Sequence, residues 1–306
     1  MSVDGESSPL GFGWIHAALL LLSVVTMTAA GLMAVELDPF EPSAWTTSGV
    51  GGALAYMMTM LAIVAAHEAG HFLTARRRGV DVSYPYFLPG LGPIPGVGVI
   101  PFFGTFGAFI RMKWEPMKAR DLLAIAGWGP VAGFVVTVPA VLVGVYLSEP
   151  VVIADDADLL LLGDSLLIAL STAVFHPEMA DDAELFLHPV ALAGWVGCLL
   201  TALNLLPVGQ LDGGHLLYGV LGEAAQKVAI AFFGAMVLAG LLLFPGWLLL
   251  AGLVFITGVR HPPIVEGEPA RGTEGWMAWV CLVIFVLTFS PAPVSVDALP
   301  QWLGLW

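Results

Sequence analysis

The sequence predicts an all-α polytopic membrane protein of about seven transmembrane helices, with one short membrane-associated β or re-entrant element. Three observations lead there. Of 306 residues 58% are hydrophobic and 11% charged, against about 25% charged in an ordinary soluble domain, and the mean hydropathy is +0.90. So few polar side chains cannot cover a domain in water. The apolar residues also gather into uncharged runs close to the roughly 20 residues that cross a hydrocarbon core as a helix. Finally, the basic residues keep to alternate ends of those runs.

Taken in order, the runs are Trp14 to Val35, Val50 to Ala66, Leu122 to Leu147, Pro189 to Leu211 and Trp276 to Val296, none of which contains Asp, Glu, Lys or Arg. Val228 to Val259 is uncharged for 32 residues with Pro245 and Gly246 near its middle, which fits one overlong kinked helix or two short helices in a hairpin. Charge decides between them. With Arg76, Arg77 and Arg78 placed in the cytoplasm, the hairpin puts all ten basic residues inside, adding Arg111, Lys113, Lys118, Arg120, Lys227, Arg260 and Arg271. A single helix would move Arg260 and Arg271 outside, so the hairpin is expected. The outer loop from Glu149 to His188 then carries nine acids: Glu149, Asp155, Asp156, Asp158, Asp164, Glu178, Asp181, Asp182 and Glu184. Its apolar stretch Leu159 to Phe175 is expected at the interface, since a span there would spoil the parity.

The first span lacks a basic leader and a small-residue cleavage site and reads as retained. Three regions follow: 1–49 with the first helix and an outer loop, 50–220 as a membrane core, and 221–306 with the remaining helices. A formal charge of -14 and no basic patch argue against a nucleic-acid partner. Cys198 and Cys281 lie in apolar runs, which supports neither a disulfide framework nor a cysteine zinc site.

The second span runs into His67-Glu68-Ala69-Gly70-His71. On a helix, residues four apart stack on one face, so the two histidines can share one tetrahedral metal while Glu68 projects beside them. This spacing is a zinc metalloprotease signature with the glutamate as general base. At 1.5 Å per residue, the nine steps from His67 to Arg76 put the pair about 13 Å below the cytoplasmic end. Ionisable groups at that depth are costly and mark function. Catalytic zinc takes three protein ligands and keeps one position open. The fourth span returns to the same side and ends at Leu211-Asp212-Gly213-Gly214, making Asp212 the candidate third ligand. Pro207, Gly209, Gly213 and Gly214 would let the segment bend toward the second span.

His67-Glu68-Ala69-Gly70-His71 together with Asn204-Leu205-Leu206-Pro207 and Leu211-Asp212-Gly213-Gly214 resembles the site-2 protease family of intramembrane zinc metalloproteases. The resemblance covers roughly residues 50–220. Gly104 to Lys113 and Gly127 to Gly133 are similar to its archaeal and plastid-like branches, without the PDZ insert of bacterial relatives. It implies that His67, His71 and Asp212 bind one Zn2+ per chain, that Glu68 is the catalytic base, and that Asn204 contacts substrate or the oxyanion. The expected partners are the lipid bilayer and a transmembrane protein substrate, cut within its membrane segment. The expected location is a cell membrane, with the site within the bilayer near the cytoplasmic side.

Between Tyr84 and Phe103 the chain holds Pro85, Pro89, Pro93, Pro95 and Pro101 with four glycines. That excludes a helix and suggests a re-entrant loop beside the site. Gly104 to Lys113 reads as a strand whose edge could capture an unwound substrate. Gly129 and Gly133 make a G-x-x-x-G spacing, read as close helix packing. His215 either supports Asp212 or marks a helix boundary, and His16, His176, His188 and His261 read as structural or exposed. The alternative function is a divalent-metal transporter with an intramembrane His/Asp site. It predicts ligands spread through the membrane depth, whereas these cluster at one level. A metal-free protease descendant is disfavoured because all the expected catalytic residues are present.

Overall fold

The structure, a computed structural model, describes residues 11–294 apart from 36, 38, 91–102, 113–116, 153–160, 181, 260, 262–264, 267 and 271–274. Two helices open the chain, α1 (Trp14–Met33) and α2 (Thr47–Arg77). Thr46 caps α2 by accepting from the Gly49 N–H at 3.3 Å, and Arg76 and Arg77 close its last turn, where cations suit the negative end of the helix dipole. An antiparallel pair follows, β1 (Tyr86–Pro89) with β2 (Thr105–Phe109). After β3 (Met117–Lys118) comes α3 (Ala119–Tyr146), which stays helical through Pro130 and Pro139.

Between α3 and α5 come β4 (Glu149–Val152), α4 (Leu166–Phe175) and β5 (Ala183–Phe186), with β4 and β5 paired antiparallel. α5 (Pro189–Asn204) leads through a turn to α6 (Asp212–Leu221), which continues by a 3-10 turn at Gly222–Ala224 into α7 (Ala225–Leu242). α8 (Gly246–Thr257), β6 (Val265–Glu266) and α9 (Trp276–Thr288) complete it, β6 pairing in parallel with β3.

The fold is the expected polytopic helical one, though its helices do not number exactly seven. Among the described residues four helical stretches are long and apolar enough to cross a membrane: α1, α2, α3 and the continuous Asp212–Leu242. α4, α5, α8 and α9 are apolar but only 10 to 16 residues long. Turn-forming residues inside the uncharged runs shorten them. The run expected from 189 to 211 loses its helix after Asn204, because Pro207 has no N–H and disfavours helical backbone at Leu206. The run from 276 ends at Thr288, ahead of Pro291 and Pro293. The expected hairpin over 228–259 is present, with α7 and α8 broken at Leu243 to Pro245 and pressed together where a Cβ on Gly240 would lie 2.5 Å from Leu248.

Part of the acidic loop packs into the core instead of resting wholly at an interface. Its stretch 159–175 holds α4, capped by Ser165, whose Ile168 is buried with Trp195 and Val141 in the central core. The core forms where α2, α3 and α5 cross, around Tyr56, Met60, Val141 and Trp195.

The β1–β2 hairpin is held against the first two helices at both ends. At one end Tyr56 donates its hydroxyl to Phe103 O at 2.7 Å, and Thr26 donates to Gly104 O at 2.7 Å. At the other, Tyr84 packs on Phe72 at 5.4 Å, and the Arg76 guanidinium lies 5.0 Å from the Phe72 ring centre. Tyr56 and Phe72 flank His67 in α2, so the hairpin runs past the level of that histidine. The expected strand over 104–113 is β2, with Lys113 outside the described residues. Most of the expected re-entrant stretch, 91–102, also lies outside them, with Pro93, Pro95, Pro101 and their glycines.

Candidate metal centre

Two helices and one turn bring the candidate residues together. His67 and His71 lie one turn apart on α2, their rings 4.8 Å apart, with Nε2 atoms separated by 3.1 Å. Asp212 is the first residue of α6, and its Oδ2 lies 3.2 Å from His67 Nε2 and 3.3 Å from His71 Nε2. The three atoms form a nearly equilateral triangle. Ligands of a tetrahedral zinc at about 2.0–2.1 Å stand about 3.3 Å apart, so one face of that tetrahedron is already in place.

The turn from Leu205 to Leu211 makes this possible. Gly209 adopts φ +56, and α6 folds back so tightly that a Cβ on Gly213 would lie 2.0 Å from Leu205 O. Only glycine fits there. The outcome is a break and a new helix start instead of the bent single helix read from the sequence. Asp212 gains from it, because a carboxylate at a helix N-terminus faces unpaired N–H groups.

The histidines are oriented from α3. His71 Nδ1 donates to Ile125 O at 2.8 Å, which leaves Nε2 with its lone pair toward the centre, the arrangement usual for metal-binding imidazole. The G-x-x-x-G residues of α3 lie directly on the pair: a Cβ on Gly129 would sit 2.1 Å from His71 Nε2, and one on Gly133 would sit 3.1 Å from His67 Cβ. Gly70 completes the contact, its Cβ position 2.1 Å from Trp128 O. The glycines expected as packing residues thus admit α3 to the centre itself.

Glu68 is 4% exposed, and its Oε2 is buried without a hydrogen-bond partner among the described residues. A buried carboxylate oxygen left so is costly, which points to a water or ligand as its partner. His67, Glu68 and His71 each offer one ligand atom within 4.8 Å of the others, so the group could hold a metal ion. Asn204, the last residue of α5, has its side-chain nitrogen 3.4 Å from His67 Nε2. All five residues singled out in the sequence therefore meet at one place.

What the sequence did not reveal is the layer behind Asp212. His215 and His261 are buried and pair with each other, Nδ1 to Nε2, at 2.5 Å. No spacing rule links residues 46 apart, so this contact had no signal.

Residues 55–244 match Peptidase family M50. The chain is 33% identical over 269 residues to the probable zinc metalloprotease EGY1, chloroplastic, of Arabidopsis thaliana, covering 84% of this chain and 45% of that one. It is 34% identical over 267 residues to the protein of the same name from Oryza sativa subsp. japonica, covering 84% and 43%. The probable zinc metalloprotease EGY2, chloroplastic, of Arabidopsis thaliana is 27% identical over 238 residues, covering 76% and 40%. The chain spans less than half the length of these relatives. No solved structure matches it.

Proposed function

The chain belongs to Peptidase family M50, and from that premise we propose that it is a zinc endopeptidase cutting peptide bonds within transmembrane segments of membrane proteins. The observation that carries this reading is the convergence of His67 Nε2, His71 Nε2 and Asp212 Oδ2 within 3.1 to 3.3 Å, beside a Glu68 oxygen lacking a protein partner among the described residues. His67, His71 and Asp212 would hold the ion. Zinc bound there supplies a Lewis acid that polarises the scissile carbonyl and brings the pKa of water down to about 7.

The remaining roles belong to the chain. Glu68 takes the proton of the attacking water and passes it to the departing amine. The Asn204 side-chain N–H donates to the oxyanion that develops on the scissile carbonyl. A helical substrate keeps its carbonyls in its own hydrogen bonds, so it must unwind locally before attack. The β1–β2 pair is two-stranded among the described residues, and an extended substrate can add to its edge at the level of His67.

The three arginines 76 to 78 at the end of α2 support a site on the cytoplasmic side of a cell membrane. A transporter requires ligands at successive depths, whereas His67, Glu68 and His71 gather at one place, with Asp212 against the two histidines. The deciding experiment is cleavage of candidate transmembrane substrates by the purified chain in detergent, comparing wild type with Glu68→Gln and measuring zinc in both. The expected result is retained zinc and cleavage reduced by about 10²–10⁴-fold. Unchanged cleavage by Glu68→Gln would remove Glu68 from its role.

A further inference from the structure

The segment that follows α8 is joined to the Asp212-bearing turn at several points. Gly209 donates its N–H to Val259 O at 3.0 Å, and a Cβ on Gly209 would lie 2.6 Å from Gly258 O. Gly258 itself takes φ +107 just after α8. His261, 6% exposed, approaches His215 Nδ1 with its Nε2 at 2.5 Å. Its ring lies flat on Tyr218, with centroids 4.3 Å apart and planes 12° apart. Its carbonyl accepts from Gln226 Nε2 at 2.9 Å.

Asp212 needs such support. It sits in the first turn of a ten-residue helix whose N-cap, Leu211, offers no side-chain bond, and uncapped first turns fray most readily. His215 lies one turn further along the same face of α6, so fixing its ring fixes the turn that carries the carboxylate. A Cβ on Gly214 would lie 2.5 Å from Gly209 O. Anything that holds Gly209 therefore also holds the start of α6.

We propose that His261 is a positioning residue for Asp212, acting through the buried His215–His261 contact and the Gly209–Val259 hydrogen bond. The proposal rests on the reading of Asp212 as a zinc ligand. It also extends the working unit past residue 244, where the family match ends.

The test measures zinc release from the purified full chain in detergent after addition of excess chelator. His261→Phe keeps a flat ring against Tyr218 but removes the nitrogen facing His215, whereas His261→Gln restores a polar group there. His261→Phe is expected to release zinc about tenfold faster than wild type, within the range seen when groups supporting a ligand are lost, with partial recovery in His261→Gln. In an Asp212→Asn background, His261→Phe should add nothing, because residues acting as one unit are not additive. Release within twofold of wild type, or an equal acceleration in the Asp212→Asn background, overturns the proposal. Wild type that holds no zinc, or holds it as firmly after Asp212→Asn, overturns the metal reading itself and this inference with it.

Discussion

Gly129 of α3 faces His71 of α2 so closely that a Cβ built on it would lie 2.1 Å from the Nε2 nitrogen. Close helix approach through small residues is usual in membranes, but here the approach ends on the atom expected to bind the ion. Gly129→Ala must displace the imidazole or part the helices. Zinc affinity is expected to fall by about 10–100-fold or more. Gly133→Ala, whose Cβ would stand 3.1 Å from His67 Cβ, needs a shift of only a few tenths of an ångström and should cost less. Zinc per chain measured after chelator challenge, with the three proteins side by side, checks the order. Gly129→Ala that retains zinc like wild type would contradict it.

Asn204 is expected to separate binding from turnover. Its side-chain nitrogen is 3.4 Å from His67 Nε2, close enough to reach a group held at the centre without being needed to hold the ion. Asn204→Ala is expected to keep its zinc and lose about 10²–10³-fold in kcat, as when one oxyanion donor is removed. Parallel determination of zinc content and kcat decides the matter. Loss of zinc in this variant would make Asn204 a support for His67 instead.

Much of this architecture was legible in the sequence because the membrane restricts the options. An uncharged run such as Trp14 to Val35 has to become a helix, since backbone polar groups have no water to turn to, and α1 fills most of it. The His67–His71 pair was equally legible, being set by a spacing of four on one helix. Features depending on distant contacts were not. The end of α5 at Asn204 follows from Pro207 and from Gly209 lying against Gly258, some fifty residues on. The pairing of Glu149–Val152 with Ala183–Phe186 joins segments of an acidic loop that carried no alternating pattern. His261 belongs to the same class: its partner is chosen by how α8 and the chain after it return, which local periodicity does not encode.

His188, at the N-terminal end of α5, gives a pH-dependent test away from the centre. Its Nδ1 accepts from the Val190 N–H at 3.3 Å and so caps the helix. Burial holds its pKa below the ordinary histidine value. With the folded pKa depressed, the unfolded segment binds more protons as pH drops below about 6.5, so the cap is intact above that pH and weakens below it. A proton on Nδ1 also removes the acceptor and sets a positive charge at the positive end of the helix. Amide exchange at the first turn of α5, corrected for intrinsic rates, should rise between about pH 7 and pH 5. His188→Asn, which caps without titrating, should flatten the profile. A profile equally steep in that variant would assign the effect to another group.

The hairpin beside α2 is tested at Gly104. This residue takes φ +79, its Cβ position lies 2.5 Å from Met27 Cα, and its carbonyl accepts from Thr26. A side chain there is therefore strained in backbone and blocked in space. Gly104→Val should push the start of β2 away from α1 without touching His67, His71 or Asp212. If the strand edge holds the unwound substrate, cleavage of a transmembrane segment should fall well below wild type while zinc content stays at the wild-type level. A short soluble peptide, which needs no unwinding, should lose less. Equal losses on both substrates would show that the hairpin supports the centre and does not present the substrate. Unchanged cleavage of the transmembrane segment would remove the hairpin from the reaction.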